Sequence, residues 1–279
     1  MSGPLPRLRR LVREGRSDAP GRAVDLLGRV GLVGYGVVHL LVAWLALQIV
    51  AGALPRGSAD AQGAVAAVAV TPYGAVALVV TTAGLIAFAV WQFTAAVIGF
   101  RWVTGGERTR KRAGAIAKAV AMVGLATVSA GFVDGRGAPS GDPGARTLTA
   151  DLLAVPAGRV LVALVAAVLF VIAGTMTYTG TRRTFMGDLD VRRLRPAARR
   201  GIEWLGVAGH LSRALALAVV GLLMGAAAFA SDPRLAGGLD AALRAIGATA
   251  PGRVLLAVVA LGFGAFGLFC LADAATRRA

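Results

Sequence analysis

The sequence predicts an all-α integral membrane protein with six transmembrane helices. Three observations predict it. The chain has 279 residues, of which 57% are hydrophobic and only 16% charged. Its mean hydropathy is +0.71, well above the level of a disordered chain and of an ordinary soluble domain. Yet its formal net charge is +16, and the charge lies between long apolar runs. Nucleic-acid binding, the other reading of such a charge, needs a basic face with interleaved aromatics. Aromatics make up 6% of the chain, and few lie in the basic clusters.

A span needs about 20 mostly apolar residues to cross a hydrocarbon core of about 30 Å. Six runs meet this, at about 31–52, 74–100, 113–133, 158–179, 204–230 and 252–274. Within a bilayer such runs satisfy their backbone hydrogen bonds as helices. A signal peptide is the rival reading of the first, because a basic head precedes it and Ala51-Gly52-Ala53 follows. The run is longer than a usual signal core.

Lys and Arg distribute unevenly. Segments 1–30, 101–118 and 180–200 and the C-terminus hold 22 of the 30, the alternate loops hold seven, and Arg213 lies inside a span. Basic residues accumulate on the cytoplasmic side, so both termini are expected there, in a cytoplasmic membrane. Twenty-eight of the 30 are Arg, and Ala and Gly abound, a composition that points to a bacterial, GC-rich source. The Arg-rich loops are expected to meet the bilayer and its anionic headgroups.

The chain repeats. The even spans share an opening motif: Pro72 and Gly74; Pro156, Gly158 and Arg159; Pro251, Gly252 and Arg253. Proline suits the first turn of a helix, and the arginines can snorkel to the interface. A short amphipathic stretch precedes each opening, at 64–70, 148–155 and 239–246. The odd spans match more weakly: Gly31-Leu32-Val33-Gly34-Tyr35 aligns with Gly206-Val207-Ala208-Gly209-His210, while the third span, around 117–125, lacks those glycines. Each unit is then span, loop, short interfacial helix, span. Two spans return the chain to its starting side, so the units are parallel repeats, packed as a pseudo-threefold bundle. The expected division is a flexible basic tail over 1–24 and repeats at 25–108, 109–194 and 195–279.

Three tandem two-span units, with Gly34-Tyr35-Gly36-Val37-Val38 opening the first helix and the Pro/Gly/Arg motif opening the second, resemble the bacterial membrane proteins of the domain of unknown function family 1206. The resemblance covers about 25–279 and implies this fold and a membrane location, but no activity. Mitochondrial carriers share the three two-span arithmetic, but their Pro-x-acidic-x-x-basic signature is missing from the odd spans.

Ionisable groups inside spans are the first candidates for function. His39 and Tyr35 share a helix face at a spacing of four; they could handle protons or touch a ligand, or His39 could be a neutral imidazole bonded within the bundle. Glu203, His210 and Arg213 lie on one face of the fifth span, as a polar mouth or as ordinary interfacial residues. On the alignment above, Tyr35 and His210 match and form a shared polar layer. Gln92 can bond across helices, and Trp91 fits an aromatic belt. Asp273 and Arg277, four apart, form a helix-end ion pair. Gly262-Phe263-Gly264-Ala265-Phe266-Gly267 fits the dinucleotide fingerprint but sits in mid-span, where close helix packing explains it better. One cysteine, Cys270, and two histidines give neither a disulfide nor a structural metal site. No cofactor and no catalytic constellation are expected. Three classes remain: a structural or accessory envelope component, first; a transporter or channel for a small or lipophilic molecule; and, last, a membrane enzyme. Protein partners are not specified, and both a monomer and a homo-oligomer are compatible.

Overall fold

The computed structural model describes residues 5–53, 58–99, 104–133, 141–192 and 194–277, with the backbone alone for 5–25, 27, 77, 128 and 133. Nine α-helices form among them: α1 (Leu5–Val50), α2 (Ala61–Ala69), α3 (Gly74–Ile98), α4 (Gly105–Val133), α5 (Gly141–Leu153), α6 (Gly158–Arg182), α7 (Pro196–Ala230), α8 (Leu239–Gly247) and α9 (Ala250–Thr276). Six are long and apolar enough to cross a membrane: α1 from Gly28, α3, α4, α6, α7 and α9. The short helices α2, α5 and α8 precede the even spans, as expected. Three of the helices begin well ahead of their expected spans, among them α7, which starts at Pro196. The helix α1 reaches back into the stretch expected as a tail, and α4 begins at Gly105, so Lys118 lies well inside it.

The opening glycines have a steric reason. A Cβ on Gly74, Gly158 or Gly252 would collide with a carbonyl oxygen of the preceding short helix: that of Ala69, Leu152 or Ile246. Only a hydrogen lets the chain fold back this tightly. Thr249 caps the last of these starts, accepting the Gly252 N–H at 3.1 Å. Arg159 donates to the carbonyls of Ala228 (3.3 Å) and Phe229 (2.6 Å). It thereby satisfies the C-terminal end of α7, which a helix leaves without partners. Arg253 makes no such contact among the described residues.

The spans pack in the order α4, α3, α1, α9, α7, α6. Three seams join an even span to the odd span that follows it around the bundle: α3 to α4, α6 to α7, and α9 back to α1. Lipid supplies no hydrophobic drive between helices, so close van der Waals packing and hydrogen bonds must hold them. Gly36 and Gly267 let α1 and α9 touch at backbone level, where a Cβ on Gly36 would lie 2.8 Å from the Gly267 oxygen. Arginines finish two of these seams. Arg29 donates to the Ala274 and Arg277 carbonyls of α9 (2.8 and 3.1 Å), and Arg112 to the Val97 carbonyl of α3 (2.8 Å).

The other seams join the two spans of one repeat. α1 packs on α3 and α7 on α9, but α4 and α6 are not packed along their length. The ring is therefore open at one seam, inside the second repeat.

The end of the bundle carrying the short helices is closed. Asp240, at the start of α8, accepts the Ala59 N–H at 2.8 Å, and Asp142, at the start of α5, accepts the Gly238 N–H at 2.7 Å. Asp60, the N-cap of α2, lies against Gly141 so closely that no side chain fits there. Each short helix thus grips the next repeat, in the cyclic order third to first, second to third, first to second. Beneath this clasp Val65, Met122, Leu125, Leu243 and Leu256 form a buried core.

Candidate functional site

Two seams fix the register of the repeats. On α1, Gly31 takes the backbone and Cβ of Phe88 from α3; on α7, Gly209 takes those of Phe266 from α9. In each pair the phenylalanine follows the glycine by 57 residues. Four residues after each glycine, on the same face, stand Tyr35 and Arg213. Tyr35 therefore corresponds to Arg213. The alignment with His210 expected above is one helical turn out of register. Its cause is plain: glycines at 31, 34, 206 and 209 are spaced by three, so a shift of one turn superposes them nearly as well.

These two residues touch. Arg213 donates from Nη2 to the Tyr35 hydroxyl at 2.8 Å, and its guanidinium lies 4.1 Å from the Phe266 ring centre and 5.7 Å from that of Tyr35. Cation–π contact of this kind strengthens once desolvated. No acid lies within ion-pair distance of Arg213 among the described residues.

His39 belongs to the same cluster. Its ring meets Tyr35 edge-on at 4.3 Å and lies 4.8 Å from Phe266 and 6.0 Å from Phe263. Its Nδ1 is 2.8 Å from the Tyr35 carbonyl oxygen. A carbonyl only accepts, so Nδ1 carries the hydrogen and Nε2 is left as the acceptor. His210 repeats this arrangement, with Nδ1 2.7 Å from the Gly206 carbonyl and its ring stacked on Phe185 at 5.1 Å. Both histidines are thus held between aromatic rings.

The other candidates lie apart. Glu203 pairs with Arg183 at 2.5 Å and does not join Arg213. Gln92 is buried at 3% exposure, and no hydrogen bond to it occurs among the described residues. Trp91 covers Gly28, stacks on Phe88 at 5.5 Å and carries the Arg277 guanidinium at 4.4 Å. Asp273 and Arg277 pair as expected, at 2.7 Å. Gly262 lies against Ser212 and the Ala208 oxygen, which is helix packing.

The residue that sequence reasoning missed is Lys118, which it placed with the loop charges. It stands in α4, solvent-accessible and without a hydrogen bond or ion pair among the described residues. It lies within electrostatic range of Arg213, Arg277, Asp188 and Asp273. Both acids are already engaged, Asp188 by Lys111 at 2.8 Å and Asp273 by Arg277. Two cations without an ion-pair partner among the described residues, Lys118 and Arg213, therefore stand inside the spans, and Arg213 is bonded to the Tyr35 hydroxyl. Such a site attracts an anion.

The model of the family described as Domain of Unknown Function (DUF1206) matches the chain three times, over residues 30–99, 113–183 and 208–277. The starts of the matches place Lys118 at the position of Tyr35 and Arg213, and Gly114 at that of Gly31 and Gly209. An uncharacterized protein of Bacillus subtilis (strain 168), YxxB, is 28% identical over 249 residues, 89% of each chain. No solved structure matches.

Proposed function

Because the chain belongs to the DUF1206 family, whose description names no activity, we propose from its geometry that it is a structural or accessory component of the bacterial cytoplasmic membrane, and not an enzyme. One observation carries this reading. Among the described residues, the aspartate clasp and the apolar core beneath it fill the short-helix end, which argues against a continuous polar path through a single chain. The two histidines, His39 buried and His210 half-buried, each bonded to its own helix and held between rings, fit packing better than proton transfer.

In this reading both termini are cytoplasmic, by the bias of basic residues, and the arginines of the connecting loops meet anionic headgroups. A reporter fused to the C-terminus tests the orientation: one active only in the periplasm should stay silent. The chain sits in the membrane as a monomer or a homo-oligomer.

The second reading, a transporter or channel for a small or lipophilic molecule, draws on Lys118, Arg213 and the open seam. Proteoliposomes holding the purified chain separate the two. We expect efflux of small anions no faster than from empty vesicles. Efflux that the chain accelerates and Lys118→Gln abolishes would establish transport instead.

A further inference from the structure

We propose that the open seam between α4 and α6 binds one anionic phospholipid of the surrounding bilayer, its headgroup held by Arg110 and Lys118 and its acyl chains lying between the two helices. The inference holds for an accessory component and for a transporter alike.

The seam has a built shape. At the equivalent contacts of the first and third repeats, Gly31 and Gly209 are filled by phenylalanine; Gly114 has open space over it. At its basic end lies a cavity of about 530 Å³, lined by Gly106, Glu107 and Arg110 of α4, by Val171, Thr175 and Tyr178 of α6, and by their neighbours. That volume falls in the range of small-molecule sites, about 300–1,000 Å³. Further into the membrane, helical periodicity continues the α4 face through Gly114, Ala117 and Ala121, all exposed. It continues the α6 face through Val168 and Leu164, both more than half exposed. Small side chains face branched ones across a gap, which leaves room for an acyl chain.

The charge selects the headgroup. Arg110 stands over the Tyr178 ring at 4.8 Å, bridging the mouth of the seam. Two turns further along the same face is Lys118, whose ammonium has no ion-pair partner among the described residues. Arg213 adds to its field. The acids facing this region are Glu107 on the lip, Asp188 bonded to Lys111, and Asp273 bonded to Arg277. An unpaired cation is costly inside a membrane, and a phosphate held against it removes that cost. A neutral or zwitterionic headgroup leaves it in place.

The test is native mass spectrometry of the full chain in non-ionic detergent, titrated with phosphatidylglycerol or with phosphatidylethanolamine of the same acyl chains. We expect one phosphatidylglycerol retained per chain, in preference to phosphatidylethanolamine. Lys118→Gln should weaken retention about fivefold, one basic contact at a membrane surface being worth that much. Gly114→Leu, which fills the seam without touching charge, should weaken it too, while Arg253→Gln at the far end should not. Thermal melting shows whether each variant is folded. Equal retention of the two lipids, indifference to both Lys118→Gln and Gly114→Leu in folded protein, displacement by millimolar inorganic phosphate, or lipid-free dimers that Gly114→Leu dissociates would each overturn the proposal.

Discussion

In the first and third repeats a glycine on one span receives a phenylalanine from the other; in the second, Gly114 faces open space. Counted back from the ends of the family matches, the place of Phe88 and Phe266 is taken by Ile172. The next turn shows the same substitution. Trp91 and Phe269 stack beside those phenylalanines, and Thr175 stands at their position in the second repeat. In the first and third repeats the matching face of the odd span leads to the bonded pair of Tyr35 and Arg213, and in the second to Lys118, without a hydrogen-bond or ion-pair partner among the described residues. Three copies of one unit are thus used in two ways. Two build a packed wall, and one leaves a gap with a free charge.

The largest test of this contrast is to add one methyl group at each glycine. Gly209→Ala drives a Cβ into the Phe266 backbone and should destabilise the protein by about 3 kcal/mol, the upper range for overpacking. Gly114→Ala meets nothing and should be neutral or stabilising by up to about 1 kcal/mol, the helix-propensity gain. Thermal unfolding in one detergent compares them, and equal losses would refute the open seam. Next in size is the clasp. Asp240→Ala strips the buried Ala59 N–H of its acceptor, for a loss of about 2 kcal/mol in the same melting experiment. Arg253→Ala, on the same end but with no side-chain hydrogen bond or ion pair among the described residues, should cost nothing measurable. The smallest effect sharpens the comparison by making the second repeat resemble the others. Ile172→Phe should give Gly114 the partner it lacks and raise stability by about 0.5–1 kcal/mol, the worth of an added aromatic contact. An unchanged melting temperature would mean that the helices are held apart by more than the missing ring.

The six spans, the short helices and the three units were legible because each rests on a local signal: an apolar run of sufficient length, or a Pro/Gly opening. The opening glycines are now explained by carbonyl oxygens one turn behind them. The register of the odd spans was not legible. Glycines three apart lie on one helix face, so two alignments a turn apart fit about equally, and only the rings seated on Gly31 and Gly209 decide between them. Lys118 was missed for a related reason. It ends a basic cluster and is counted with that cluster's loop charges, although the expected third span, 113–133, already contains it. The clasp left a faint trace, an aspartate near the start of each short helix. That the acceptors belong to the next repeat is a tertiary fact which no single sequence carries.

The seam of α1 with α9 has a temporal side. The first span to enter the membrane finds its main partner in the last, about 200 residues later. At the usual pace of synthesis, about 5–20 residues per second, the face of α1 around Gly36 is bare to lipid for roughly ten to forty seconds. Through that interval the half-made chain lacks this seam, which closes only when α9 arrives with Gly267 opposite Gly36.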